Sequence, residues 1–423
     1  MLTTCSSDTA MRLYENAINQ LQSHTADPFQ SAEAAILEDP NFVMAHCLRA
    51  YSGTAMAEAM DSEHLRKLLS DARSSAAGCA NEREKLHIAA IESWLAGDLP
   101  RMSKLFDEIL LSFPLDFLAL QRGHLIDFHT GSRAKMRDRV ASALPHYQCG
   151  IPDLGYVLGM HAFGLEENSE YEQAEQAGRD ALEVNSDDVW AIHAVAHVME
   201  MQGRHEDGVK WYNRHRQQWA VENNFSVHNW WHVALFHLSL GNYKEVLEIH
   251  DEYLASGSME LDCVDSSSLL WRLYLKGFDV GSRWQKLADK WENLIENRDF
   301  YCFNDYHALL AFLAAQRWNK AVEITGRAKK YAQRSTFLGQ LANEVGLPIF
   351  KGLTDFTQER YDCAVENLSA VRDRIHRSGG SFVQRNVLTL TLTEAAKRSG
   401  RNQVMQDAFN NSRSHPKKTG VQN

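Results

Sequence analysis

Two short segments concentrate side chains able to move protons. In VWAIHAVAHVME, His193, His197 and Glu200 stand at i, i+4 and i+7, which is one face of a helix with 3.6 residues per turn. In HNWWHVALF, His228 and His232 repeat the four-residue step, with Asn229 and Trp231 between them. Imidazoles titrate near neutral pH, so such a face could supply a general acid or base. Two histidines four apart plus a carboxylate can also ligate zinc. The pattern here lacks the internal glutamate of HExxH and arises often by chance, so no metal is expected. Asp262 and Asp265 share a helical face in ELDCVDSSSLLWRLY, and Asn304, Asp305 and His307 follow in FNDYHALL. Gln384 and Arg385 sit at a helix start in GGSFVQRNVL. The arginine fork suits a carboxylate. Each group also has a plainer reading. Asp262 and Asp265 could cap a helix or pair with Arg272, and Arg385 could balance an acid of the protein itself.

The elements that would position these groups follow from a period. Gly97, Gly131, Ser169, Gly203 and Gly241 are separated by 34, 38, 34 and 38 residues. Most open the same phrase, as in Ser169/Tyr171/Ala174, Gly203/His205/Gly208 and Gly241/Tyr243/Val246. Gly131 is the weakest copy, with Arg133 in place of the ring. This is the tetratricopeptide signature, a helix–turn–helix unit that stacks on its neighbours. With the glycine at position 15, positions 2, 5, 9 and 12 of the first helix form one stripe on the concave side. In the unit from Val189 the stripe is Trp190, His193, His197 and Glu200, while Ile192, Val195, Ala196 and Met199 face the packing side. In the next unit His228 takes position 2, His232 lies one turn on, and Trp230 reads as packing. The prediction is an all-α superhelix in one continuous array over 1–411, clearest over 83–255 and degenerate over 256–411, with a polar tail over 412–423. Helices are expected near 10–24, 29–38, 42–60 and 63–78, and then as regular pairs. Past 256 they are expected over 262–277, 283–298, 303–316, 318–333, 337–355, 359–377 and 384–399. The longer steps place four extra residues in the connections 145–154 and 220–227, where ligand-facing loops tend to sit.

Composition limits the partners. The 423 residues carry a net charge of −11, which argues against nonspecific nucleic-acid binding and against an anionic membrane surface. Seven cysteines lie far apart with no CxxC pair, as expected of reduced thiols in a cytoplasmic protein. The start MLTTCSSDTAMRLYENAI lacks the basic and apolar runs of a signal peptide. No run approaches ~18 apolar residues, so no membrane span is expected. There is no GxGxxG, no GxxxxGK[ST] and no GxSxG, so no nucleotide or other cofactor is expected.

Ten phrases together resemble the tetratricopeptide repeat protein 38 family: DPNFVMAH, NEREKLHIAAIE, FPLDFLAL, YEQAEQAGRDALEVNSDDVWAIHAVAHVMEM, HNWWHVALF, LDCVDSSSLLWRLYLKG, RWQKLA, FNDYHALLA, EVGLPI and GGSFVQRNV. They run in the family's order across almost the whole chain. The resemblance implies the repeat fold and no particular reaction, and its phrases carry the same histidines, acids and arginine.

Two functions are therefore weighed. The first is an enzyme acting on a small polar metabolite by acid/base chemistry (hydrolysis, elimination or isomerisation). Its candidate catalytic groups are His193, His197, Glu200, His228, His232, Asp262, Asp265 and Asp305. Asn229, Trp231, Asn304, His307, Gln384 and Arg385 would bind the ligand. The second is a noncatalytic peptide- or protein-binding groove, with a purely structural scaffold third. Terminal units with apolar ends leave a homo-oligomer open.

Overall fold

The computed structural model describes residues 3–53, 62–148, 150–296, 300–401 and 403–404. The second half of the helix expected over 42–60, Cys149 and the tail over 412–423 lie outside these residues. Among the described residues there is no strand, and no helix is long and apolar enough to cross a membrane.

The chain is an all-α superhelix of antiparallel helix pairs of tetratricopeptide type. The pairs that matter most are Phe117–His129 with Arg133–Ala143, Leu154–Glu166 with Tyr171–Val184, and Val189–Met201 with His205–Arg214. Ser226–Ser239 is followed by Tyr243–Ile249, which continues as a π turn over His250–Leu254. Past 256 the pairing persists: Glu260–Leu275 with Arg283–Ile295, and Cys302–Ala314 with Trp318–Tyr331. Two expected helices are broken. The one over 337–355 contains a π turn at Ala342–Gly346. The one over 359–377 ends at Ser369 and resumes as a 3-10 segment, Arg372–Ser378.

The periodic small residues are explained by their backbone. Gly97, Gly131, Ser169, Gly203 and Gly241 have φ between 64° and 80°, the left-handed region that glycine enters without steric cost. Each reverses the chain between the two helices of a pair. Gly277, Gln316 and Glu359 do the same further on, at φ 81°, 59° and 60°. The period blurs past 256 because two of these turns use residues with side chains. Aspartates start several inner helices. Asp188 accepts from the Trp190 and Ala191 amides at 2.9 and 3.1 Å, which caps the His193 helix.

The superhelix closes on itself at two seams. At one, the end of the first helix meets the connection 220–227: the Asn224 amide donates to the His24 carbonyl (2.8 Å) and Asn223 Nδ2 to the Ser23 carbonyl (2.9 Å). Gln22 reaches the other long connection, donating to Asp153 at 2.8 Å. At the second seam the turn before the last helix docks on the middle of the chain. The Phe382 amide donates to Glu167 Oε1 (2.7 Å), Arg385 pairs with Glu167 Oε2 (3.2 Å), and Tyr301 Oη lies 2.9 Å from His129 Nδ1. Gly131 is needed here for a second reason, since a Cβ on it would overlap the His376 carbonyl.

Candidate functional site

Between the seams lies a cavity of about 460 Å³. The concave stripe predicts much of its wall. Trp190, His193 and His197 line it, as do the stripe positions of the two preceding units, Gln121, Leu125 and Phe128, then Tyr156 and Phe163. Both long connections take part: 145–154 anchors Gln22, and Asn224 and Phe225 of 220–227 face the interior. His24, held in the left-handed conformation at the end of the first helix, stacks between Trp190 and Phe225 at ring distances of 5.9 and 5.0 Å.

The wall is rich in histidine but poor in the carboxylates expected beside them. Aromatic and aliphatic side chains dominate it, and Glu260 is the one carboxylate among the lining residues. Of the fourteen candidates, His193, His197, His228, Asn304 and Gln384 face the cavity. Of the others, His232 and Asp265 join a histidine cluster behind the wall, and the rest serve the packing around it. Asp262 accepts from the Met259 amide at 2.9 Å and is a helix cap, the plainer of its two readings. Glu200 turns toward His205, 3.4 Å away at the helix end. Asn229 accepts from Tyr212 Oη at 3.0 Å on the packing side. Trp231 is fully buried and stacks on His228 at 5.2 Å. Asp305 is buried beside Cys302, whose thiol it helps to raise after burial itself. His307 bonds the Phe303 carbonyl through Nδ1 at 2.8 Å, and burial lowers its pKa to about 3. Gln384 completes a capping box with Ser381. Arg385 does not reach for a ligand, because its carboxylate is Glu167.

The histidines meet as a cluster. His193, His197, His228 and His232 each offer a ring nitrogen, and these four atoms all lie within 4.8 Å of one another. His193 Nε2 and His228 Nε2 are 3.2 Å apart. His228 Nδ1 lies 2.8 Å from Asp265 Oδ2, so Asp265 orients the ring from behind. His197 Nδ1 lies 3.4 Å from Glu166 Oε2. Both nitrogens of His232 lack a hydrogen-bond partner. Burial, and then repulsion from neighbouring imidazoles, holds His193 and His232 well below the usual range. Burial lowers His197 to about 3. These three rings are therefore neutral, with lone pairs available. Burial raises Asp265 to about 6 and Glu166 to about 8.

Two groups escaped the sequence reading. Glu166 occupies position 12 of its unit, equivalent to Glu200 one repeat later, and the stripe applied there would have found it. Arg122 lies one residue off the stripe. It lines the cavity at 8% exposure, donates to the Tyr51 carbonyl (3.2 Å), leaves Nε without an acceptor, and pairs with no carboxylate among the described residues. Burial brings its pKa down to about 10. His24 and His129, both lowered to about 4 by burial and then by Arg122, add no competing charge.

No family model matches the chain. It is similar to a crystal structure of a Rap protein complexed with competence and sporulation factor, at 12% identity and TM-score 0.45 over 88% of this chain and 96% of that one. It is similar to the human IFIT1 dimer with m7Gppp-AAAA, at 13% and 0.48 over 96% and 94%. It is also similar to the P58(IPK) TPR domain, at 15% and 0.22 over 93% and 99%. These likenesses are loose, and the tetratricopeptide assignment rests on the chain's own helix pairs and left-handed turns.

Proposed function

We propose that the cavity between the seams receives a small organic anion with an aromatic or apolar body, and that the histidine wall acts chemically on it. One observation carries the reading: Arg122 is a buried cation on the wall with no carboxylate at ion-pair distance among the described residues. A buried charge is costly unless paired, and an anionic ligand would supply the partner. Phe163, Trp190 and Phe225 offer faces for the ligand's apolar body, while His193, His197 and His228 stand on the same wall. The volume suits a metabolite-sized molecule, for which pockets run from roughly 300 Å³ upward. The small polar metabolite expected from sequence is thereby revised to one that is apolar apart from its acid. The likeness to the tetratricopeptide repeat protein 38 family fits this cavity, since His193, His197 and His228 lie in its phrases.

A groove for a long peptide fits less well, because both seams would have to open. The test is a thermal-shift comparison of phenylacetate, phenylpropionate and phenyl phosphate with the matching neutral amides. The acids are expected to raise the melting temperature. A ligand at 100 times its dissociation constant contributes about 2.7 kcal/mol. The amides, and Arg122→Gln with the acids, are expected to give no shift. Equal shifts from acids and amides, or a response that survives Arg122→Gln, would refute the reading. A response confined to peptides with a free C-terminal carboxylate would move it to the peptide-binding alternative.

A further inference from the structure

We infer that His193, His197, His228 and His232 bind one divalent transition-metal ion of the imidazole-preferring kind, such as Zn(II) or Co(II). The ion would sit on the wall of the anion cavity, but the inference does not require an anion.

Geometry is the first support. Two helices, Val189–Met201 and Ser226–Ser239, each present histidines four residues apart, and the two pairs face each other. The four rings interlock, with centroid distances of 4.3 Å (His193–His197), 4.6 Å (His197–His232) and 4.9 Å (His228–His232). In a tetrahedral site with bonds of about 2.05 Å, ligand nitrogens lie about 3.4 Å apart. The His193–His228 edge is already 3.2 Å. The widest pair is at most 4.8 Å, which modest ring rotation would close.

The second support is unsatisfied valence. His232 is fully buried and neither nitrogen has a partner, and the same holds for His197 apart from the loose approach of Glu166. Leaving such polar atoms unpaired in a protein interior is unfavourable. A metal ion accepting four lone pairs removes the deficit at its source. Third, carboxylates stand behind two of the four rings, Asp265 on His228 and Glu166 on His197. Metal-binding histidines are commonly oriented this way from their distal nitrogen. Neither acid has a Lys or Arg within ion-pair distance among the described residues, so a central dication would balance both. Three of the four histidines also line the cavity, which leaves the ion reachable by a ligand atom.

Full-length protein purified without a tag, stripped with a chelator and titrated with Co(II), tests this. One equivalent per chain should bind, giving the visible absorption of low-coordinate cobalt, and Zn(II) should displace it. Asp265→Asn should weaken binding about 10- to 100-fold, and His193→Asn/His232→Asn should abolish the absorption. X-ray absorption of the Zn(II)-loaded wild type should show an imidazole shell, a readout that needs no variant to fold. Absence of both signals from folded wild type would overturn the inference. So would an oxygen- or sulfur-dominated shell, or binding undiminished in the double variant. Arg122→Gln should keep the cobalt absorption while losing the anion response, so either reading can fail without the other.

Discussion

Replacing Arg385 with methionine probes the seam that closes the cavity. Arg385 and Glu167 are 3% and 1% exposed, lie 3.2 Å apart, and join positions separated by 218 residues. At an effective dielectric of about 20 the attraction across that distance is roughly 5 kcal/mol before desolvation. Removing one member of a buried pair generally costs about 3–5 kcal/mol, because the other is left uncompensated. Methionine keeps most of the volume, so the loss is chiefly that of the charge, together with the bond Arg385 donates to the Gly380 carbonyl. Burial already holds the Glu167 pKa above its ordinary range against the pull of Arg385. Without the guanidinium the folded state would hold its proton more tightly still. A folded pKa raised above the unfolded value means that stability falls as pH rises, so the loss should be greater at pH 8 than at pH 5. Urea unfolding would report the global effect, and hydrogen exchange at amides 376–385 the local opening of the seam. Glu167→Gln/Arg385→Met should recover most of the loss, since it removes both charges. A loss below about 1 kcal/mol, typical of an exposed pair, would refute the reasoning, as would a double variant no more stable than the single one.

Other expectations concern turns and titration. Gly131→Ala and Gly241→Ala both place a side chain at positive φ, for about 1–2 kcal/mol, but only Gly131 also meets the His376 backbone. Thermal melts should show Gly131→Ala as clearly the worse, and equal losses would argue against the seam. Ser169 has φ 64°, so Ser169→Gly should raise stability by about 0.5–1 kcal/mol, with a lowered melting temperature as the contrary result. In metal-stripped protein, His24, His124, His129 and His197 have folded pKa values of about 3 to 4. Their unfolded values lie near 6.5, so the unfolded state binds more protons below that pH. Each then removes up to about 1.4 kcal/mol per pH unit as the pH falls toward its folded value. Melts across pH should decline steeply below about 6, and a flat profile would contradict the neutral, buried imidazoles. Glu166 acts in the opposite direction. Its folded pKa of about 8 means stability is lost as pH rises from 4.5 to 8, so Glu166→Gln should flatten that side of the stripped protein's profile. An unchanged slope would count against it.

The repeat was legible because it rests on local chemistry. A left-handed turn demands glycine or a tolerated substitute, and Gly97, Gly131, Gly203 and Gly241 stand where the chain reverses. The stripe was legible for the same reason, since 3.6-residue spacing alone orients Trp190, His193 and His197, and equally Gln121, Leu125, Phe128, Tyr156 and Phe163. What escaped was set by long-range closure. Nothing near Ser23 or Asn223 announces their contact, and nothing near Glu167 announces Arg385. The same closure made Arg385 a structural partner and left Arg122 as the cation on the cavity wall. The acids Asp262 and Asp265 read as site residues because they share one helical face. Their directions, one into a helix cap and one behind His228, depend on neighbours the local pattern does not contain.

The most direct measurement is native mass spectrometry of the tag-free, full-length protein, wild type beside Arg122→Gln. The folded wild-type ion is expected to exceed the 48.0 kDa chain mass by that of a small organic acid, either carried through purification or added as phenylpropionate, and the variant to lose that excess while staying folded. A wild-type ion that takes up no acid, or a variant that takes it up equally, would contradict the assignment of this cavity to an anionic ligand.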